Sequence, residues 1–94
     1  MQIIWKYAIP TNKSTFSLEI PFDSQILTMD FQNEKPFLWI LVETKKIKIM
    51  RSFFLVGTGW DVDEQRYGIE GETKIVHIKT WQVGRLVWHL FEEI

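Results

Sequence analysis

ILTMDFQNEKPFLWILVETKKIKIMRSFFLVGTGW, residues 26–60, carries the pattern around which the rest of the chain is organised. Its apolar segments are separated by polar turns and end in a glycine-bearing loop, Gly57-Thr58-Gly59-Trp60. Leu27, Met29 and Phe31 alternate with Ile26, Thr28 and Asp30, the two-residue period of a strand. Asn33-Glu34-Lys35-Pro36 has the chemistry of a short hairpin turn. The returning segment is apolar on both faces, Phe37, Trp39 and Leu41 against Leu38, Ile40 and Val42, as expected of a central strand. After Thr44-Lys45-Lys46 a third segment ends fully apolar at Phe53-Phe54-Leu55-Val56. Read as strands, the segments form a meander.

Outward from this centre the same period recurs. Ile3, Trp5, Tyr7 and Ile9 alternate with Ile4, Lys6 and Ala8. Phe16, Leu18 and Ile20 oppose Ser17 and Glu19, and Pro21, which cannot donate to a ladder, is expected to end that strand. Residues 61–72 are polar and acidic and read as a long excursion. Two closing strands follow, turning at Val83-Gly84. In that register Ile78 opposes His89, Val76 opposes Phe91 and Thr80 opposes Val87, a plain core face on which His89 is expected as a satisfied core histidine between Val87 and Phe91. The other face carries His77, Lys79, Trp81, Leu86, Trp88 and Leu90, a mixture suited to a partner or a ligand wall. No window sustains helical periodicity with a cap. The expectation is a single all-β domain over residues 1–94, a compact antiparallel β-sandwich or partly open barrel of about seven short strands.

Composition narrows the classes. The chain has 94 residues, enough for one domain with a modest core. It has no cysteine, which excludes disulfides and thiolate zinc sites. No apolar run approaches a membrane span, and Lys6 and Pro10 interrupt anything resembling a signal peptide. A net charge of −1 argues against a nucleic-acid binder held by phosphate contacts. Five Trp and seven Phe exceed what so small a core needs. Aromatic strands account for many of them, and an interface or pocket for the surplus.

The chemical constellations are sparse. Gly57 and Gly59 lack the GxGxxG or Walker context of a phosphate loop, and read first as a turn. Asp61, Asp63 and Glu64 lack calcium-loop spacing. His77 and His89 fall on opposite faces in the register above, so no metal pair is expected. No serine lies on a GxSxG elbow. Lys45, Lys46, Lys48 and Arg51 make a local basic patch beside an acidic stretch.

IWKYAI, LEIP, ILTMDFQNEKPFLWILVE, FFLVGTGW and LVWHLFEE together resemble a family of small uncharacterised proteins of bacteriophages and mobile elements. The motifs keep their order over nearly the whole chain. Where the family pattern has histidine after GTG this chain has Trp60, and the acidic stretch before the final hairpin is longer; His89 fits the pattern. The resemblance implies a phage-type accessory protein working in the cytoplasm of an infected bacterium, with no established enzymatic activity.

The expected function is therefore a non-enzymatic binding protein, a homo-oligomer without cofactor or metal. It would counter a host defence by sequestering a nucleotide-type signal or masking a host protein. Its expected ligand residues are Gly57, Thr58, Gly59, Trp60, His77, Trp81, Arg85 and Trp88, with rings stacking on a base and Arg85 meeting phosphate. The competing expectations are a structural component of a virion, and a nucleotide hydrolase with His77 as acid or base.

Overall fold

The computed structural model describes residues 1–66 and 74–94. Among the described residues seven strands follow the alternating pattern: β1 Gln2–Ala8, β2 Thr15–Pro21, β3 Gln25–Gln32, β4 Lys35–Glu43, β5 Lys48–Gly57, β6 Ile75–Val83 and β7 Leu86–Glu93. They form two antiparallel sheets, β1-β4-β3 and β2-β5-β7-β6, so the fold is an all-β sandwich. Among the described residues no helix is long and apolar enough to cross a membrane.

The central stretch is not a meander. β3 and β4 form a hairpin, but β5 crosses to the second sheet and pairs with β2 and β7. The reason lies in β4, which is apolar on both sides and already has β1 and β3 as neighbours. Its Leu38, Ile40 and Val42 face inward and are fully buried. Its outer Phe37 and Trp39 are half-covered by Lys6, whose ammonium lies 4.6 Å from the Phe37 ring centroid and 2.7 Å from Gln32 Oε1. The ammonium itself thus lies over the Phe37 and Trp39 rings, a cation–π arrangement, while it donates to the Gln32 amide oxygen.

Met29, Leu38, Ile40 and Val42 of the first sheet meet Phe16, Ile20, Phe53 and Leu90 of the second, with Phe16 stacked on Phe53 at 5.2 Å. Each such side chain contributes about 1.5–3 kcal/mol by leaving water. Tyr7 packs against this core, and burial raises its phenol above the ordinary value of 10.0. Near the opposite end of β7, Arg51 and Glu92 are held inside the sandwich: Nη2 donates to Glu92 Oε1 at 2.7 Å, Nε donates to Oε2, and Nη1 donates to Ser24 O at 2.5 Å. Arg51 therefore leaves the basic patch read from the sequence. Lys46 also leaves it, pairing with Asp23 at 3.1 Å.

Two β-bulges correct the expected faces. The first, between Ile26 and Thr28, puts Ile26 on the inner face with Met29 and leaves Leu27 exposed. The second, between His77 and Lys79, pairs His77 with Phe91 and Thr80 with His89. The closing turn is Gly84-Arg85, with Val83 opposite Leu86, rather than Val83-Gly84. His77 and His89 consequently share the outer face of the second sheet, so the face of Val76, His89 and Phe91 is not the core face expected from the sequence and His89 is not a core histidine. Leu90 belongs to the core, and Trp81 and Trp88 point between the sheets. Pro21 lies within β2 rather than after it, at the sheet edge where its missing N–H costs no ladder bond.

A short helix not expected from the sequence, α1 Val62–Gln65, follows the glycine loop, with Asp61 capping it by accepting from Asp63 N at 2.9 Å. It packs on β5 and helps explain why Phe54 and Val56 are buried on the outer side. Arg66 just beyond it bonds Glu93 on β7. The rest of the acidic excursion, residues 67–72, lies outside the described residues.

Candidate functional site

At one end of the sandwich the two sheets part. The cleft between them has a volume of about 590 Å³. Its walls come from the β1–β2 connection (residues 9–14), the β3–β4 hairpin (Phe31, Glu34, Pro36), the end of β5 with its loop (Leu55, Trp60), and the β6–β7 hairpin (Trp81, Val83, Trp88).

Aromatic rings form a row along it. Phe31 on β3 meets Trp81 on β6 edge-on at 6.2 Å. Trp81 is the cross-strand partner of Trp88 on β7. Trp88 in turn meets Trp60 edge-on at 5.1 Å and 83°. Such contacts add about 0.5–1.5 kcal/mol each beyond area burial. Trp60 nevertheless remains 48% exposed, so much of its surface is available to a ligand.

The glycine loop exists to place that ring. A Cβ on Gly57 would sit 3.0 Å from Trp60 Cε2 and 3.1 Å from Nε1, so the indole lies where any other side chain would be. Gly59, at φ +90°, lets the chain turn back, and Trp60 N donates to Gly57 O at 3.0 Å to close the turn. Thr58 N donates to Val87 O at 3.0 Å. The amide of Trp60 is therefore engaged within the turn and that of Thr58 with β7, so the two do not form a free phosphate cradle.

A smaller cavity of about 260 Å³ adjoins the first and shares Trp60 and Trp88 with it. Gly57, Thr58 and Arg85 contribute to its lining. Arg85 sits exposed on the closing turn and has no hydrogen-bond or ion-pair partner among the described residues.

Of the residues expected from the sequence, Trp60, Trp81 and Trp88 line the cleft. Gly57, Thr58 and Arg85 line its neighbour, and Gly59 shapes the loop. His77 is elsewhere, on the outer face of the second sheet. There its Nε2 lies 2.7 Å from Thr80 Oγ1, which lies 2.8 Å from His89 Nδ1, and His89 Nε2 lies 2.7 Å from Thr58 Oγ1. A hydroxyl has one proton, so Thr80 donates to one ring at most, and the tautomers of the two histidines are linked. The chain of bonds pins Thr58 at the root of the turn that carries Trp60. Among the described residues no three of His, Asp and Glu are placed to hold a metal ion.

Sequence reading missed Phe31, Glu34, Lys13 and Leu55 as cleft residues. One signal was available. Asn33 and Glu34 occupy a two-residue turn at φ 52° and 66°, a conformation usually given to Asn-Gly. A glutamate kept in the left-handed region is the kind of strain found at functional positions.

A family described as a domain of unknown function (DUF7352) matches the chain over residues 1–94. No curated protein and no solved structure matches it.

Proposed function

We propose, from the premise that the chain belongs to the DUF7352 family over residues 1–94, that it is a non-enzymatic binding protein whose aromatic cleft sequesters a small nucleotide-type ligand. The setting we propose is that of a phage-type accessory protein countering a host function by removing such a signal. The observation that carries the reading is the row Phe31–Trp81–Trp88–Trp60 along a cleft of about 590 Å³. That volume falls within the roughly 300–1,000 Å³ of small-molecule sites. Aromatic faces bind bases by stacking, at about 1–3 kcal/mol per base.

A second reading rests on one contact. Thr58 Oγ1, beside the smaller cavity, lies 2.7 Å from His89 Nε2, the geometry of a hydroxyl and its general base. It recasts the hydrolase alternative with His89 in place of His77.

Native mass spectrometry of the protein from bacteria with active nucleotide signalling tests both. A small adduct that leaves on denaturation, and is missing from a folded Trp60→Ala variant, supports sequestration. Conversion of the released compound by fresh wild-type protein would replace sequestration with hydrolysis. Added protein mass without a small adduct would favour masking of a host protein. No adduct of either kind would count against the proposal.

A further inference from the structure

We infer that the ligand is a nucleotide bearing a single phosphate, bound astride the Trp60–Trp88 pair with its base in the larger cavity and its phosphate in the smaller. This rests on the reading of the cleft as a nucleotide site. Three observations carry it.

The first is the sharing of walls: Trp60 and Trp88 belong to both cavities, so a ligand filling one meets the other across the same two rings. At about 260 Å³ the smaller cavity is below the size of an ordinary ligand site and suits a substituent of a ligand held next door.

The second is the distribution of charge. The larger cavity has Lys13 and Glu34 on its rim, which offset each other. The smaller has Arg85 and no carboxylate. An anionic group is therefore favoured in the smaller cavity. One arginine presents a fork suited to one phosphate, and the lining offers no second cation for a chain of them.

The third is the inventory of donors. Tryptophan only donates, and the indoles of Trp60, Trp81 and Trp88 have no hydrogen-bond partner among the described residues. Together with Arg85 and the ammonium of Lys13, these donors call for a ligand rich in acceptors. Bases and phosphates supply them, and a plain hydrocarbon ring does not.

The test is titration calorimetry with adenosine, guanosine, cytidine and uridine, and with their 5′-monophosphates and triphosphates. For whichever base binds, the monophosphate is expected to bind about tenfold or more tighter than the nucleoside, and the triphosphate no tighter than the monophosphate. Arg85→Ala is expected to bring the monophosphate down to the nucleoside's affinity while leaving the nucleoside unchanged. Arg85→Lys should restore part of the difference. Because Arg85 is an exposed turn residue, these variants retain the fold, which circular dichroism verifies. Nucleoside and monophosphate binding equally, or a triphosphate binding about tenfold tighter than the monophosphate, would overturn the inference and leave the nucleotide site standing. Failure of every nucleoside and nucleotide to bind would overturn both.

Discussion

Replacing Gly57 by alanine isolates the contact on which the site depends. The new Cβ would lie 3.0 Å from Trp60 Cε2, 3.1 Å from Nε1 and 3.3 Å from Cδ2, each closer than ordinary van der Waals contact. The indole must retreat by a few tenths of an ångström. Because it is 48% exposed it can move, but only by loosening its edge-on packing against Trp88 at 5.1 Å. Losing that packing costs about 0.5–1.5 kcal/mol. A second effect opposes it. Gly57 is not in the left-handed region, so alanine there restricts the unfolded chain and stabilises by about 0.4–1 kcal/mol. In the wild-type background the two nearly cancel. In a Trp60→Ala background only the stabilising one remains. Urea unfolding of the four proteins, followed by far-ultraviolet circular dichroism, should therefore give a coupling of about 1 kcal/mol between positions 57 and 60. Near-ultraviolet dichroism should lose the Trp60–Trp88 signal in both singles. An identical effect of Gly57→Ala in the two backgrounds would refute the argument that the glycine is there to seat the indole.

Glu34→Gly should stabilise the fold by about 0.5–1 kcal/mol in thermal unfolding, since glycine adopts positive φ without the Cβ clash that Glu34 carries at 66°; no gain would mean the turn is unstrained. Glu92→Ala should cost about 3–5 kcal/mol by leaving the enclosed Arg51 without its carboxylate, whereas Arg51→Met with Glu92→Leu should recover most of it in denaturant titrations. If the double variant is as unstable as the single, the pair does more than satisfy itself. Tyr7, whose folded pKa lies above 10.0, binds its proton more tightly in the folded state. Its contribution to stability should be complete below pH 10 and fall as pH rises through the folded value. Absorbance titration of the phenolate should show one tyrosine ionising late, and Tyr7→Phe should flatten the alkaline loss of stability.

How much of the site was legible can be judged residue by residue. Trp60, Trp81 and Trp88 stood out because tryptophan is rarely spent on a small surface loop or hairpin without a partner, and Arg85 because it sits at a turn beside them. Phe31 and Glu34 did not stand out. Their role depends on the β3–β4 hairpin of one sheet arriving opposite the β6–β7 hairpin of the other, about 50 residues away in the chain. His77 was misplaced for a different reason. Strict alternation put it with Trp81, and a single extra residue at Ile78 moved it to the opposite face.

That this protein is a β-sheet domain, with its strands close to where they are found, could be read from the order of its residues. Alternation of apolar and polar side chains is a local consequence of the pleat, readable without knowing any neighbour. The same order also determined that Phe37, Trp39 and Leu41 could not all be left in water, since β4 is apolar on both faces. The two hairpins, β3–β4 and β6–β7, were also readable, but the pairing of β1 with β4, the departure of β5 to lie between β2 and β7, and the places of the two bulges follow from packing alone. Leu27 and Ile78 are ordinary strand residues, and nothing in them announces an interruption of the ladder. Because the side-chain period is two, each interruption reverses every facing assignment across it. The reversal in β6 brings His77 to the face of His89, where Thr80 links the two rings, whereas Trp81, Trp88 and Leu90 keep a common face and turn inward because that face packs against the first sheet.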